Sequence, residues 1–256
     1  MDTEELLKKR FAELAQKCYQ KNQYTFAGFL GLADAACFYE MERELSYVPY
    51  TLWGGYEGAE RVMIRFGSAE MLGYEEAFPI VCLKVSPLAE KFSDELTHRD
   101  YLGALMNLGI EREILGDILI EEKTAWIFCT QNMAEFISEN MVKVKHTTVL
   151  CAESQEIPSF GSRDIQELKL QLSSERIDGM IAKAYKLSRS DSAELFRQKK
   201  VFVEGRLCEN SSRLLKAGET VSVRGYGKFE YRGETGISRK GKLNVLIGCY
   251  GKIKNR

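Results

Sequence analysis

The sequence is short of histidine, of paired cysteines and of long apolar runs, and each shortage removes a class of function. Only two histidines, His98 and His146, stand among 256 residues. That leaves little for acid–base relays or for a serine or cysteine triad. The seven cysteines (18, 37, 82, 129, 151, 208 and 249) are scattered and never spaced as a CxxC pair. With so few histidines beside them they assemble no zinc site, so reduced, buried thiols are expected, with no metal and no cofactor. No apolar run approaches the roughly 18 residues of a membrane-spanning helix. The densely charged first ten residues lack the apolar core of a signal peptide. A cytoplasmic protein without a membrane partner is expected.

Net charge is almost missing too: 36 Lys and Arg oppose 37 Asp and Glu. Taken whole, that balance argues against a nucleic-acid binder. Cutting the chain before Glu175 reverses the reading. Residues 1–174 carry 17 basic and 28 acidic side chains, a net of −11, whereas residues 175–256 carry 19 and 9, a net of +10. An acidic body followed by a basic tail points to a polyanion partner for the tail alone.

What is present is an ordinary folded composition, 45% hydrophobic and 29% charged, which excludes a disordered, collagen-like or fibrous chain. Leu6, Leu7, Phe11, Leu14 and Cys18 recur at helical spacing over residues 3–20, and Leu32, Ala35, Ala36 and Tyr39 repeat the pattern toward Leu45. In Arg61–Phe66 the alternation puts Val62, Ile64 and Phe66 on one strand face. Residues 1–75 therefore read as a small α+β unit.

Residues 76–152 read βαββαβ, a ferredoxin-like order. Its strands are Ile80–Val85, Gly116–Ile120, Ala125–Cys129 and Val142–Leu150. One helix starts at the Thr97–Asp100 capping box and stops at Gly109; the other is capped by Asn132 and Glu135. This topology also underlies an RNA-binding module whose third-strand aromatics stack bases, and Trp126 and Phe128 lie two apart on that strand. The basic, glycine-flanked aromatic motif of such a strand is missing and the segment is acidic. The pair is therefore read as core packed against the two helices. Residues 153–173, polar and containing Pro158, Ser159 and Gly161, suit a linker.

From 174 to 256 the chain is basic. Ile177, Ile181 and Ala184 stripe one helix, and Ser188 with Asp191 caps a second, whose wheel places Arg189, Arg197, Lys199 and Lys200 on one half. Val201–Gly205 and Gly218–Gly225 follow as strands with turns.

Four segments here, Arg176-Ile177-Asp178, Ser188-Arg189-Ser190, Val201-Phe202-Val203-Glu204-Gly205 and Gly218-Glu219-Thr220-Val221, resemble the S4 RNA-binding domain over about 50 residues. Lys200 stands where that domain usually has glycine before the first strand, and Glu204 replaces the usual Asn. The resemblance widens to the YlmH-type family through Gly54-Gly55-Tyr56-Glu57-Gly58-Ala59-Glu60-Arg61, His98–Met106, Leu108–Glu113, Gly116-Asp117-Ile118, Arg224-Gly225-Tyr226-Gly227-Lys228-Phe229 and Lys240-Gly241-Lys242. It implies a bacterial RNA-binding protein of α+β class, linked to the large ribosomal subunit, to rescue of stalled nascent chains and to cell division. Its C-terminal S4 domain would carry a β extension.

The RNA-binding residues expected from the domain match are Arg176, Arg189, Ser190, Arg197, Lys199 and Lys200, with Arg224 and Lys228 from the hairpin end and tail. Asp178 is expected to orient a neighbouring arginine, and Glu204, an added negative charge, is left out of the site. Fixed cations of this kind grip phosphates and lose affinity as salt rises.

Catalytic readings fall away. Gly236-x-x-x-x-Gly241-Lys242 has a phosphate-loop outline, yet Leu243 stands where Ser or Thr should hold magnesium. No Gly-Arg-Leu-Asp segment of a pseudouridine synthase and no adenylate-forming signature occurs. The expectation is a non-enzymatic, monomeric binder of rRNA or tRNA with no small-molecule substrate. An RNA-modifying enzyme with an accessory S4 domain and a division-linked protein adaptor are the alternatives.

Overall fold

An amphipathic helix opens the chain: α1 (Thr3–Lys21) buries Phe11, Ala15 and Cys18 at spacings of four and three. Asn22, in the left-handed region at φ 50, follows its last turn. The structure, a computed structural model, describes residues 3–156, 165–238 and 241–250. The chain divides into two compact units, Met1–Pro158 and Ser159–Arg256, both mixed α/β.

In the first unit α2 (Leu32–Met41) starts at Gly31, whose N–H donates to the Asp34 carboxylate at 3.1 Å. Strands β1 (Thr25–Phe26), β2 (Tyr50–Trp53) and β3 (Met63–Phe66) form an antiparallel sheet in the order β1-β3-β2. Phe11, Phe38, Ile64 and Phe66 build the core between this sheet and the two helices. The alternation in β3 predicts one buried face, but all four of its residues are buried. Met63 turns the other way into a second cluster, with Phe29, Trp126 and Phe128. Arg65 lies between the rings of Tyr24 and Phe78, 4.9 and 5.0 Å away, and donates to Glu75 at 2.6 Å. A short helix, α3 (Ala69–Leu72), capped by the Ser68 hydroxyl, leads out of this layer.

The larger sheet takes β4 (Ile80–Pro87), β5 (Leu115–Glu121), β6 (Thr124–Thr130), β7 (Lys143–Val144) and β8 (Thr147–Glu153) in the antiparallel order β5-β6-β4-β8-β7. Helices α4 (His98–Asn107) and α5 (Gln131–Asn140) connect β4 to β5 and β6 to β7. The Thr97–Asp100 capping box forms as read, and Gly109 takes φ 78 just past α4. Two local readings are corrected. Thr130, not Asn132, is the N-cap of α5, because β6 runs straight into the helix and Gln131 N–H is claimed by Pro79 O at 2.9 Å. Residues 142–150 are not one strand but a hairpin, turned at Lys145 (φ 52).

The reading of Trp126 and Phe128 is corrected as well. Both are buried, but on the face away from α4 and α5. The helix-facing residues of β6 are Ala125, Ile127 and Cys129. Trp126 and Phe128 pack against Phe29 and Met63 from the N-terminal layer, and Tyr56 stacks on Phe128 with centroids 5.0 Å apart. A period-2 pattern says which residues share a face, not what covers it.

Two of the stretches that carry the family resemblance meet here. Asp117 accepts from the N–H groups of Glu60 and Arg61 at 2.7 and 3.1 Å and from the Tyr56 hydroxyl at 2.8 Å. The Arg61 guanidinium donates to the carbonyls of Leu115, Phe29 and Arg112 at 2.8, 2.8 and 2.9 Å. Burial beside Arg112 lowers its pKa to about 10. Gly55 (φ 99) has to be glycine: a β-carbon there would sit 2.5 Å from the Phe128 ring.

The second unit is a six-stranded antiparallel sheet carrying two helices. Its strands are β9 (Ile165–Leu172), β10 (Val201–Val203), β11 (Arg206–Leu207), β12 (Thr220–Val223), β13 (Gly227–Ile237) and β14 (Leu243–Tyr250), in the order β11-β10-β12-β13-β14-β9. Helices α6 (Ile177–Ala184) and α7 (Arg189–Arg197) lie between β9 and β10 in the chain and close its core through Ile177, Ile181, Leu195 and Phe196. Part of the span read as linker is therefore strand. Residues 165–172 pair with β14 at eight positions. Leu168, Leu170 and Leu172 pack on the core while Glu167, Lys169 and Gln171 face water. Half of such an edge strand is polar by position, which gives it a linker's composition.

Candidate nucleic-acid interface

The start of α6 is fixed from several sides. Glu175 O accepts from Leu215 N–H at 3.2 Å, and the Glu175 carboxylate takes the Tyr231 hydroxyl. Ile177 N–H donates to Arg213 O at 2.9 Å. Between them, Arg176 at the N-cap directs its guanidinium onto Asp178 in a two-point contact, Nε to Oδ1 at 3.1 Å and Nη2 to Oδ2 at 3.0 Å. Asp178 is 5% exposed and also accepts from Gly179 N–H at 2.8 Å. Such bidentate pairing holds an arginine in one orientation. Asp178 orients Arg176, as the sequence suggests.

The start of α7 is built by its own hydroxyls. Ser188 Oγ accepts from Asp191 N–H at 3.0 Å and lies 2.6 Å from the Asp191 carboxylate and 2.7 Å from Ser190 Oγ. Ser192 Oγ donates to Asp178 O at 2.8 Å and ties α7 to α6. Arg189, the first residue of α7, reaches back across α6, where a β-carbon on Gly179 would lie 3.2 Å from its Nη2.

Around these two arginines opens a cleft of about 690 Å³ lined by β9, the 173–176 turn, α6, the α6–α7 link, the start of α7 and Lys242 just ahead of β14. Arg176, Lys183, Lys186, Arg189 and Lys242 line it, with no carboxylate among the described residues of its lining. Lys183, Lys186 and Arg189 form no ion pair among the described residues. Five cations around one concavity suit a polyanion whose phosphates enter together.

The eight expected residues do not form one surface. Arg176 and Arg189 line the cleft, whereas Ser190 is exposed outside its lining with its hydroxyl engaged in the cap. The expected half-wheel of cations on α7 is not formed, because the helix ends at Arg197. Lys200 N–H bonds Leu195 O and Lys199 N–H bonds Phe196 O, a left-handed helix stop with Lys199 at φ 52. Arg197 is paired with Glu194 at 2.8 Å. A second basic group gathers at the β12–β13 turn. There Arg224 N–H donates to Lys200 O at 2.8 Å, and Lys228 Nζ lies 5.1 Å from the centre of the Tyr250 ring.

Sequence reading passed over Lys183, Lys186 and Lys242. A signal for the first existed, since Lys183 falls on the helix face opposite the Ile177–Ile181–Ala184 stripe. Lys242 comes from the β13–β14 hairpin, just before β14, and only the fold brings it to the cleft. Gly236 to Lys242 lies in the β13–β14 hairpin rather than between a strand and a helix, with Ser238 N–H bonded to Lys242 O at 2.7 Å. His98 and His146 are both exposed, and Lys240 lies outside the described residues. Among the described residues no three of His, Cys, Asp and Glu could hold a metal ion, and no helix is long and apolar enough to cross a membrane.

Comparison with known proteins follows the division of the chain. Residues 74–157 match a family described as "Putative RNA-binding domain in YlmH". The chain is 27% identical over 198 residues to the ribosome-associated protein quality control protein P2 of Bacillus subtilis, covering 76% of this chain and 75% of that one. The solved cell division protein ylmH of Streptococcus pneumoniae is 21% identical, with a TM-score of 0.48 over 60% of this chain and 93% of its own. Homologues carry names of RNA-binding or ribosome-associated proteins rather than of enzymes. The matched domain and the Bacillus relative both point to the YlmH-type family that the sequence resembles.

Proposed function

We propose that the chain is a non-enzymatic RNA-binding protein that docks on structured rRNA or tRNA of the large ribosomal subunit through its basic second unit. The observation that carries this reading is the cleft in which Arg176, Lys183, Lys186, Arg189 and Lys242 converge with no carboxylate among the described lining residues. Within this unit we take residues 174–256 as an S4 domain with a β extension, because its two helices and following strands carry the four matching segments. Residues 76–152 we take as ferredoxin-like, since the chain order βαββαβ and the sheet order β5-β6-β4-β8 agree with that arrangement. Residues 1–75 form its N-terminal partner.

The mechanism is bridging. The cleft grips phosphates along one stretch of folded RNA and reads shape more than bases. The acidic first unit stays clear of the RNA backbone by like charge and presents itself to other partners. The Bacillus relative's name places that protein in ribosome-associated quality control, and the same step, in the cytoplasm, is the role proposed here. The test is co-sedimentation with purified large subunits. The chain should travel with them at low salt, and a variant with Arg189, Lys183 and Lys186 all changed to Gln should stay in the supernatant. Equal sedimentation of the two would remove the cleft from the account.

A further inference from the structure

We propose that Tyr226 stacks on an unpaired base of the RNA held by the second unit. This rests on the RNA-binding reading and narrows the target to a strand with at least one base free of its neighbours. Val223 and Gly227 close a three-residue hairpin loop, Arg224-Gly225-Tyr226, and Tyr226 N–H returns to Val223 O at 2.9 Å. Glycines flank Tyr226 in the chain, Gly225 at φ 89 and Gly227 at φ 136, so neither chain neighbour adds a side chain beside the ring, which packs on the core on one side. A β-carbon on Gly225 would meet nothing within 4 Å. The ring is half-buried and supported from behind by Tyr185, centroids 5.6 Å apart at 49°.

The turn that carries this ring is basic. Arg224 and Lys228 lie within two residues of it, and Lys200 is bonded to Arg224 through the backbone. Tyr185, which touches Tyr226, is followed in the chain by Lys186 of the cleft. A flat aromatic side chain on a basic turn fits a nucleotide, whose base offers a π-face and whose phosphates offer the anions. A duplex keeps its bases stacked on each other, so only an unpaired base can use the ring.

The full chain would be titrated with an RNA hairpin whose loop positions are replaced in turn by 2-aminopurine, and with a blunt duplex of equal length. Wild type and Tyr226→Phe should quench the fluorescence at one loop position. Tyr226→Leu keeps apolar volume against Tyr185 but offers no flat face. It should lose the quench and about 5- to 150-fold of hairpin affinity, with duplex affinity and the salt dependence unchanged. Salt-sensitive binding by wild type with no quench at any loop position would overturn the stacking and leave the phosphate cleft standing. Absence of salt-sensitive RNA binding altogether would overturn both.

Discussion

The Arg189 guanidinium crosses the bare α-carbon of Gly179, and a β-carbon there would stand 3.2 Å from its Nη2. Gly179 lies inside α6, where glycine costs roughly 1 kcal/mol relative to alanine. Gly179→Ala should therefore leave the fold as stable or raise its stability by up to about 1 kcal/mol, while pushing Arg189 out of the cleft and weakening RNA binding several-fold. Thermal denaturation and a binding isotherm on the same protein check the two halves. Lower stability with unchanged affinity would contradict the assignment.

Lys199 occupies the left-handed position after α7 at φ 52, a conformation that costs a non-glycine residue about 1 to 2 kcal/mol. Lys199→Gly should stabilise the chain by about 1 kcal/mol in urea denaturation and should weaken RNA binding if the Lys199 amine contacts phosphate. Glu204 stands at φ 51 in the Glu204-Gly205 turn, where Asn would be easier, but its carboxylate accepts from Thr220 N–H. Glu204→Asn should change stability less than Lys199→Gly, because relief of the turn is offset by loss of that bond.

Arg61 binds three backbone carbonyls at the junction of the two sheets of the first unit. Arg61→Met should cost about 3 kcal/mol or more, since it leaves buried carbonyls unpaired. Phe128→Leu, on the same junction, should cost about 1 to 2 kcal/mol by loss of packing. RNA affinity of the folded fraction should be that of wild type in both, because Phe128 is 1% exposed and Trp126 only 8%. A selective loss of RNA binding in Phe128→Leu would return this sheet face to the site.

Burial raises the Cys82 and Cys129 thiols to about 12 and the Cys151 and Cys249 thiols to about 11. These thiols should resist a disulfide reagent at pH 8 until the chain is denatured. Because the folded pKa values lie above the unfolded one, their contribution is intact below about pH 9 and fades as pH rises toward 11 to 12. Stability followed by urea denaturation from pH 8 to 11 should fall, and a rise would contradict the burial of these groups.

Much of this was legible in the chain itself. The helix caps at Thr97 and Ser188, the apolar stripe of α6 and the charge division near Glu175 are local patterns that formed as read, and so did the stripe of α1 except at Leu6, which is exposed. What escaped depends on contacts between distant segments. Trp126 and Phe128 alternate correctly, but only the fold shows Phe29 and Met63 covering them. The strand 165–172 is half polar because it is a sheet edge. At the site, Arg176 and Arg189 were found from their motifs, whereas Lys242 joins them from the β13–β14 hairpin. The left-handed stop at Lys199 ends α7 early and separates Lys199 and Lys200 from the helix face on which the wheel had put them.

The slope of RNA affinity against salt tests the central claim most directly. The full chain and the Arg189→Gln, Lys186→Gln double variant would be titrated with large-subunit RNA at a series of salt concentrations. Wild-type affinity should fall steeply as salt rises, and the double variant should bind more weakly with a slope smaller by about two, one for each lost phosphate contact. Binding that ignores salt, or a double variant with the wild-type slope and affinity, would contradict the assignment of the cleft as the RNA-binding surface.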